Sequence, residues 1–295
     1  NRLYDLVGHE RLNTSADRAG LETVTINHRL SVARTAEQNR AAPRIELGTP
    51  SADAVVIEPR TSPLMLDNAG VPALRVGEAH LVGGEVVDGP KSFLYSNRAE
   101  LIDLQNATVS VLRPDLDAGV PGYALGDGDR ELLADAMTWL PRECPNPVYD
   151  PSEYPDDWAK FMLEGVREVI PAGDVRYANK IGLAYGFTTE TAYIEDRRTG
   201  RALFLAGSVY TNANETLNDN VYEYDRQAMP FWRALGRSLA RRVLLNADGW
   251  RHDHIRLDTD EPEPPASGDA LGEWALEPDE PFTHAIVSFN AVVPD

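Results

Sequence analysis

Between Asn179 and Asn212 the chain reads NKIGLAYGFTTETAYIEDRRTGRALFLAGSVYTN, and this stretch limits the possible folds more than any other. Three runs rich in β-branched and aromatic residues follow one another, at about Val175–Leu183, Glu190–Glu195 and Arg201–Tyr210, with Arg-Arg-Thr-Gly at 197–200 as the last turn. Connections this short join antiparallel neighbours, because a parallel pair needs a crossover of a dozen or more residues. The first run carries Lys180, one of only three lysines (with Lys91 and Lys160) among 28 basic residues. An ammonium is a compact charge whose pKa burial and neighbours can tune, unlike the arginines used elsewhere. Gly182 and Gly186 lie beside it, and Tyr185 stands between them at the end of the run. A glycine in a strand marks the close approach of a ligand or of another backbone. A plain meander with an incidental lysine remains the other reading.

Helical periodicity appears around this sheet. Asp127 or Asp129 caps a helix running to Leu140, with Leu132, Leu133, Ala136, Met137 and Leu140 on one face and Pro141 ending it. A second helix is expected over Pro155–Ile170, with Pro155 in its first turn, Asp156 and Asp157 at the positive end of its dipole, and Trp158, Phe161, Met162 and Val166 facing inward. A third spans Met229–Leu245, burying Phe231, Trp232, Leu235, Leu239 and Val243. Residues 1–20 read as one helix interrupted at Gly8, or as two short ones. Leu21–Ser31 reads as extended. Residues 41–125 read as a loop-rich insertion with short strands near Ala54–Glu58 and Ala73–Val87, and 88–118 show no strong period. Together these predict an α+β fold, an antiparallel sheet flanked by helices, over 1–245. Residues 246–295 form an acidic, proline-rich tail with a possible last strand at Thr283–Val293.

Composition excludes several functions. The 47 acidic and 28 basic residues give a formal charge of −19 and a pI near 4.7. Such a surface repels nucleic acid, no basic patch with interleaved aromatics offsets it, and a salt-rich habitat would screen its self-repulsion. No apolar run is long enough to span a bilayer. Cys144 is the sole cysteine, so an internal disulfide framework is excluded, and its loop has no histidine nearby in sequence to activate a thiol. His252 and His254 have metal-like spacing but no obvious third ligand, so no metal or organic cofactor is expected.

The order of these elements, with Lys180-Ile181-Gly182 on a strand and a packing helix late in the chain, resembles the serine β-lactamase and penicillin-binding-protein superfamily. More narrowly it is similar to β-lactamase-like serine hydrolases. The likeness rests on NRLYDLVGHERLN (1–13), INHRLSVARTAEQNR (26–40), WLPRECPNPVYDPSEYPDDWAKFMLEG (139–165), NKIGLAYGFTTETAYIED (179–196), SVYTNANETLNDNVYEYD (208–225) and MPFWRALGR (229–237). In that superfamily S-x-x-K carries the nucleophile, S-D-N lies on a neighbouring loop and K-T-G on a strand. By position, the resemblance implies that Lys180 is the K-T-G lysine, that Gly182 is its glycine and that Leu183 supplies an oxyanion N–H. Ile181 stands where a substrate-binding threonine is usual, and Tyr185 would lie near substrate. S-x-x-K and S-D-N are absent. Asn1 resembles the last residue of an S-D-N-x-A-x-N run, and the chain opens without methionine and already in helical register. The resemblance therefore places the nucleophilic serine upstream of this chain, which alone would be incomplete. Glu37 is the acid nearest to where class A enzymes keep a deacylating base, although it falls out of register. The expectation is an acyl hydrolase, exported beyond the cytoplasm (periplasmic or lipoprotein-anchored), acting on an amide, ester or lactam of a small-molecule or peptide substrate. The alternative is a binding or scaffold protein that keeps the fold without turnover.

Overall fold

A computed structural model describes residues 1–48 and 54–245 and the backbone of 284–292; the expectations of an acidic, proline-rich tail before residue 284 and of the pair His252 and His254 lie outside the described residues. The molecule mixes α-helices with antiparallel sheets. It divides into two compact units within the stretch read as one domain: Asn1–His80 with Glu85–Glu131, and Leu81–Gly84 with Leu132–Asp295.

The first unit begins with two helices, α1 (Arg2–Val7) and α2 (His9–Arg18), separated at Gly8, whose φ of 87° stops the first. Their inward face is largely polar: Leu3 is exposed, and Tyr4, His9, Asn13 and Ala16 are buried. Hydrogen bonds make that possible, since a buried polar group is tolerated when it is paired. Asn13 Nδ2 donates to His9 O (2.8 Å) and Ile26 O (3.0 Å), and Asn13 Oδ1 accepts from Ile26 N (2.8 Å). Arg29, almost wholly buried, ion-pairs with Asp5, donates to Asn39 O (3.1 Å) and Ala41 O (2.7 Å), and stacks 4.5 Å over the Tyr4 ring. A short helix α3 (Ala36–Arg40) follows, its N-terminus closed by a capping box between Thr35 and Gln38. The loop-rich stretch then forms small antiparallel ribbons, including Ile45–Leu47 with Val55–Ile57 and Arg75–Val76 with Lys91–Ser92.

Residues 101–112, which show no clear sequence period, form helix α4 (Leu101–Leu112). Its buried side includes Asp103, Gln105, Asn106, Thr108 and Ser110, so no apolar stripe announces it. Asp103 anchors the helix by accepting from Thr23 N (2.8 Å) and Thr23 Oγ1 (2.6 Å).

The expected helix near 127–140 is present as α5 (Asp127–Thr138), yet its predicted apolar face is open: Leu132 and Leu133 are exposed and only Leu140, beyond its end, is buried. The helix expected over Pro155–Ile170 shrinks to α6 (Leu163–Arg167). Turns at Pro155–Trp158 and Asp157–Lys160 precede it and carry Lys160 inward. Phe161, Met162 and Val166 are buried as expected, while Trp158 is exposed.

The sheet of the second unit has the order β4-β3-β2-β1, all antiparallel, where β1 is Val175–Ala184, β2 Phe187–Asp196, β3 Arg201–Tyr210 and β4 His284–Val292. Strands β1 and β2 meet at Tyr185-Gly186, where both residues have positive φ (57° and 84°), the geometry whose twist suits a two-residue hairpin. A Cβ on Gly186 would lie 2.9 Å from Asn212 Cβ and 3.0 Å from Tyr210 Cε2, so the turn needs glycine there for space as well as for φ.

One face of this sheet packs on α6 and on helix α7 (Met229–Leu239), which continues through a wider turn over Ala240–Leu244. Met162, Val166, Ile170, Ile194, Leu203, Leu205, Trp232 and Leu239 form its core. The two helices approach through glycines: a Cβ on Gly165 would meet Arg233 O at 1.8 Å, and one on Gly236 would meet Met162 O at 2.5 Å. Trp232 settles its indole by donating to Thr188 Oγ1 at 2.8 Å.

Candidate functional site: the open edge of strand β1

Strand β1 is the edge of its sheet among the described residues, with β2 on one side only. Pairing resumes after the two-residue turn at Ala184–Phe187, and the register continues through Gly182–Thr189 and Lys180–Thr191. In the alternation of an antiparallel ladder these are the hydrogen-bonded pairs, so the amides and carbonyls of Ile181 and Leu183 point away from the sheet. Lys180 agrees with this: its Nζ reaches round to donate to Ile181 O at 3.0 Å, which requires that carbonyl to face outward. The edge thus offers the Leu183 N–H beside an exposed ammonium.

Successive side chains on a strand point to opposite faces. Ile181 packs against the helix-covered core, so Lys180 and Gly182 belong to the other face. Gly182 has an ordinary φ, and a Cβ there would find only Thr189 Cβ, at 3.7 Å. Neither strain nor crowding requires glycine at this position. Its effect is to leave the strand surface bare next to Lys180. On the Ile181 side, Ile181 and Leu183 border a groove of about 540 Å³ whose walls include Trp158, Phe161, Tyr224 and Met229. Tyr185 occupies the strained position of the turn, and the neighbouring Gly186 N–H donates to Tyr224 Oη at 2.9 Å.

Of the seven residues singled out by sequence, Lys180, Ile181, Gly182, Leu183 and Tyr185 fall together on β1 and its turn. Asn1 and Glu37 belong to the first unit. Asn1 pairs reciprocally with the backbone of Leu30, donating through Nδ2 to Leu30 O (2.9 Å) and accepting at Oδ1 from Leu30 N (2.8 Å). Glu37 lies exposed in the first turn of α3. Cys144 is half-buried after a short turn at Pro141–Glu143, and its unit contains no described histidine side chain.

Behind β1 lies a buried ionisable cluster that the sequence did not announce. Lys160 Nζ uses all three donors, to Met137 O (2.9 Å), Tyr177 O (3.1 Å) and Asn179 Oδ1 (2.7 Å). Asn179 Nδ2 in turn donates to Glu190 Oε1 (2.8 Å), which also accepts from Tyr177 Oη (2.6 Å). Burial lowers the Lys160 ammonium to about 8 and raises the Glu190 carboxyl to about 7, because the charged form of each loses water. Tyr177, wholly buried beside that carboxylate, is pushed well above the usual phenol range by the same loss of water. The signal for Lys160 was its rarity, which it shares with Lys180. Glu190 gave one too, as an acid placed in register with the inward residues Ala192 and Ile194 of its strand.

Among the described residues no group of histidine, cysteine or acidic side chains could hold a metal ion, and no helix is long and apolar enough to cross a membrane. Chemically, the β1 edge can hold an anionic group by its ammonium and a developing oxyanion by its free amide. No protein-family model matches the chain, and neither a curated protein nor a solved structure does.

Proposed function

We propose that this chain carries the strand side of an acyl-transfer site, in a serine hydrolase of the β-lactamase-like type acting on an amide, ester or lactam carbonyl. One observation carries the reading: Lys180, the bare surface at Gly182 and the outward Leu183 N–H follow one another on the free edge of a sheet backed by helices. A tetrahedral oxyanion needs preorganised donors where its charge develops, and a backbone amide on a sheet edge is such a donor. An ammonium alongside stabilises a substrate carboxylate or holds a neighbouring hydroxyl in its reactive state. The 295 residues contain no S-x-x-K, and the proposal assigns the nucleophile to such a segment outside them.

The test uses the protein that contains these residues together with whatever precedes Asn1. A fluorophosphonate or fluorescent penicillin forms a covalent adduct, and peptide mapping places it on the serine of an S-x-x-K segment. Absence of such a segment, or an adduct elsewhere, removes the proposal.

A second reading, a binding protein on the same scaffold, is favoured by Ile181. It supplies no hydroxyl for a substrate carboxylate and packs instead against the core. That protein would hold the same ligands reversibly and leave no adduct.

A further inference from the structure

At the end of β1 away from Lys180, a cavity of about 480 Å³ opens beside the buried lysine cluster. Its walls contradict the charge of the molecule. Five of the thirteen residues around it are cationic, against 28 of 295 in the chain, and only Glu143 is acidic. A cluster of one sign against the prevailing charge raises the local concentration of oppositely charged ligands. We propose that this cavity is a binding site for a small molecule bearing a multiply charged oxyanion, a phosphate or polycarboxylate group. It lies apart from the strand edge discussed above and does not depend on it.

Two of the arginines are committed to carboxylates, and two are left more open. Asp156 sits between Arg142 (2.7 Å) and Arg167 (3.0 Å) and fixes both guanidinium groups, and Glu143 (3.7 Å from Arg142) and Glu164 (3.4 Å from Arg167) pair with them as well. Arg167 still keeps its Nε buried without a hydrogen-bond partner. Arg176 is loosely paired, 3.6 Å from Glu195 and 5.7 Å from the centre of the Tyr193 ring, and the Arg197 guanidinium has no carboxylate within ion-pair reach among the described residues. Guanidinium forks match the geometry of phosphate and carboxylate oxygens and bind them in pairs of hydrogen bonds. Lys160 lies at the inner wall with its three donors committed, so it contributes charge rather than a contact. The volume lies within the range usual for small-molecule sites.

Titration calorimetry of the full chain with pyrophosphate, and separately with citrate, at about 50 mM salt tests this. The expected result is saturable binding of at least one probe with Kd at or below roughly 1 mM, weakened about tenfold or more by the double change Arg176→Ala with Arg197→Ala. Both side chains are at least partly exposed and their loss leaves the core intact, and equal thermal midpoints establish that. Arg11→Ala, on the exposed side of α2, serves as the control and leaves binding unchanged. Tight pyrophosphate with weak citrate identifies a phosphate site, and the reverse a carboxylate site. Lack of saturable heat with both probes, or binding that survives the double change, overturns the proposal.

Discussion

At the scale of single residues, Gly182 and Gly186 separate two reasons for a strand glycine. Gly186 is fixed by its positive φ and by the Tyr210 and Asn212 side chains against it. Gly186→Ala is expected to lower stability by about 1–3 kcal/mol in denaturant unfolding. Gly182→Ala meets nothing closer than 3.7 Å and is expected to leave stability unchanged or raise it by about 0.5–1 kcal/mol. If Gly182→Ala also slows reaction with a serine-reactive probe, the bare surface serves a ligand. Glu190 makes a prediction with a sign. Its carboxyl titrates higher in the folded chain than in the unfolded one, so its contribution is intact below the ordinary carboxylate pKa and is lost as pH rises through about 7. Glu190→Gln should therefore gain stability relative to the parent as pH is taken from 5 to 8, read from paired unfolding curves. A constant difference across that range would show that the carboxylate is not protonated on folding. Both glycines were visible as punctuation in the sequence, but only the built turn shows which one the backbone demands. Glu190 was legible only through its register with Ala192 and Ile194, because an acid inside a strand otherwise reads as a solvent-facing position.

At the scale of elements, α6 and α7 meet through Gly165 and Gly236, each pressed against the partner's backbone. Side-chain motion cannot relieve a clash with a carbonyl. Gly165→Ala or Gly236→Ala is expected to cost about 2–4 kcal/mol, seen as a lower denaturant midpoint with an unchanged slope. A loss under about 0.5 kcal/mol would mean the helices can separate freely. Periodicity revealed the elements whose inward face is apolar: the three meander strands and α7. It failed where burial is polar, as at α4, whose inward Asp103, Gln105 and Asn106 erase the stripe that helix recognition uses. It overreached at Pro155–Ile170, where apolar spacing looks helical but the chain turns twice to place Lys160 against two carbonyls. Side-chain hydrogen bonds outweighed local propensity there.

At the scale of the whole molecule, a strongly acidic chain concentrates positive charge at two places on one strand: Lys180 at the free edge, and the arginine-lined cavity near Tyr177. The sequence made the first legible, because lysine is rare and glycine follows closely. It could not show the second, whose arginines come from segments that only the fold brings together. On the proposed function, the Lys180 ammonium serves chemistry rather than the fold. Its exposed side chain, held by a hydrogen bond to the neighbouring Ile181 O, predicts that folding does not need it. The most direct measurement is the rate of covalent labelling by a serine-reactive probe, taken alongside the thermal midpoint, for the parent protein and Lys180→Ala. Labelling should slow by about 10²-fold or more with a midpoint within about 2 °C of the parent. Labelling at the parental rate, or a loss of rate matched by a comparable loss of stability, would contradict it.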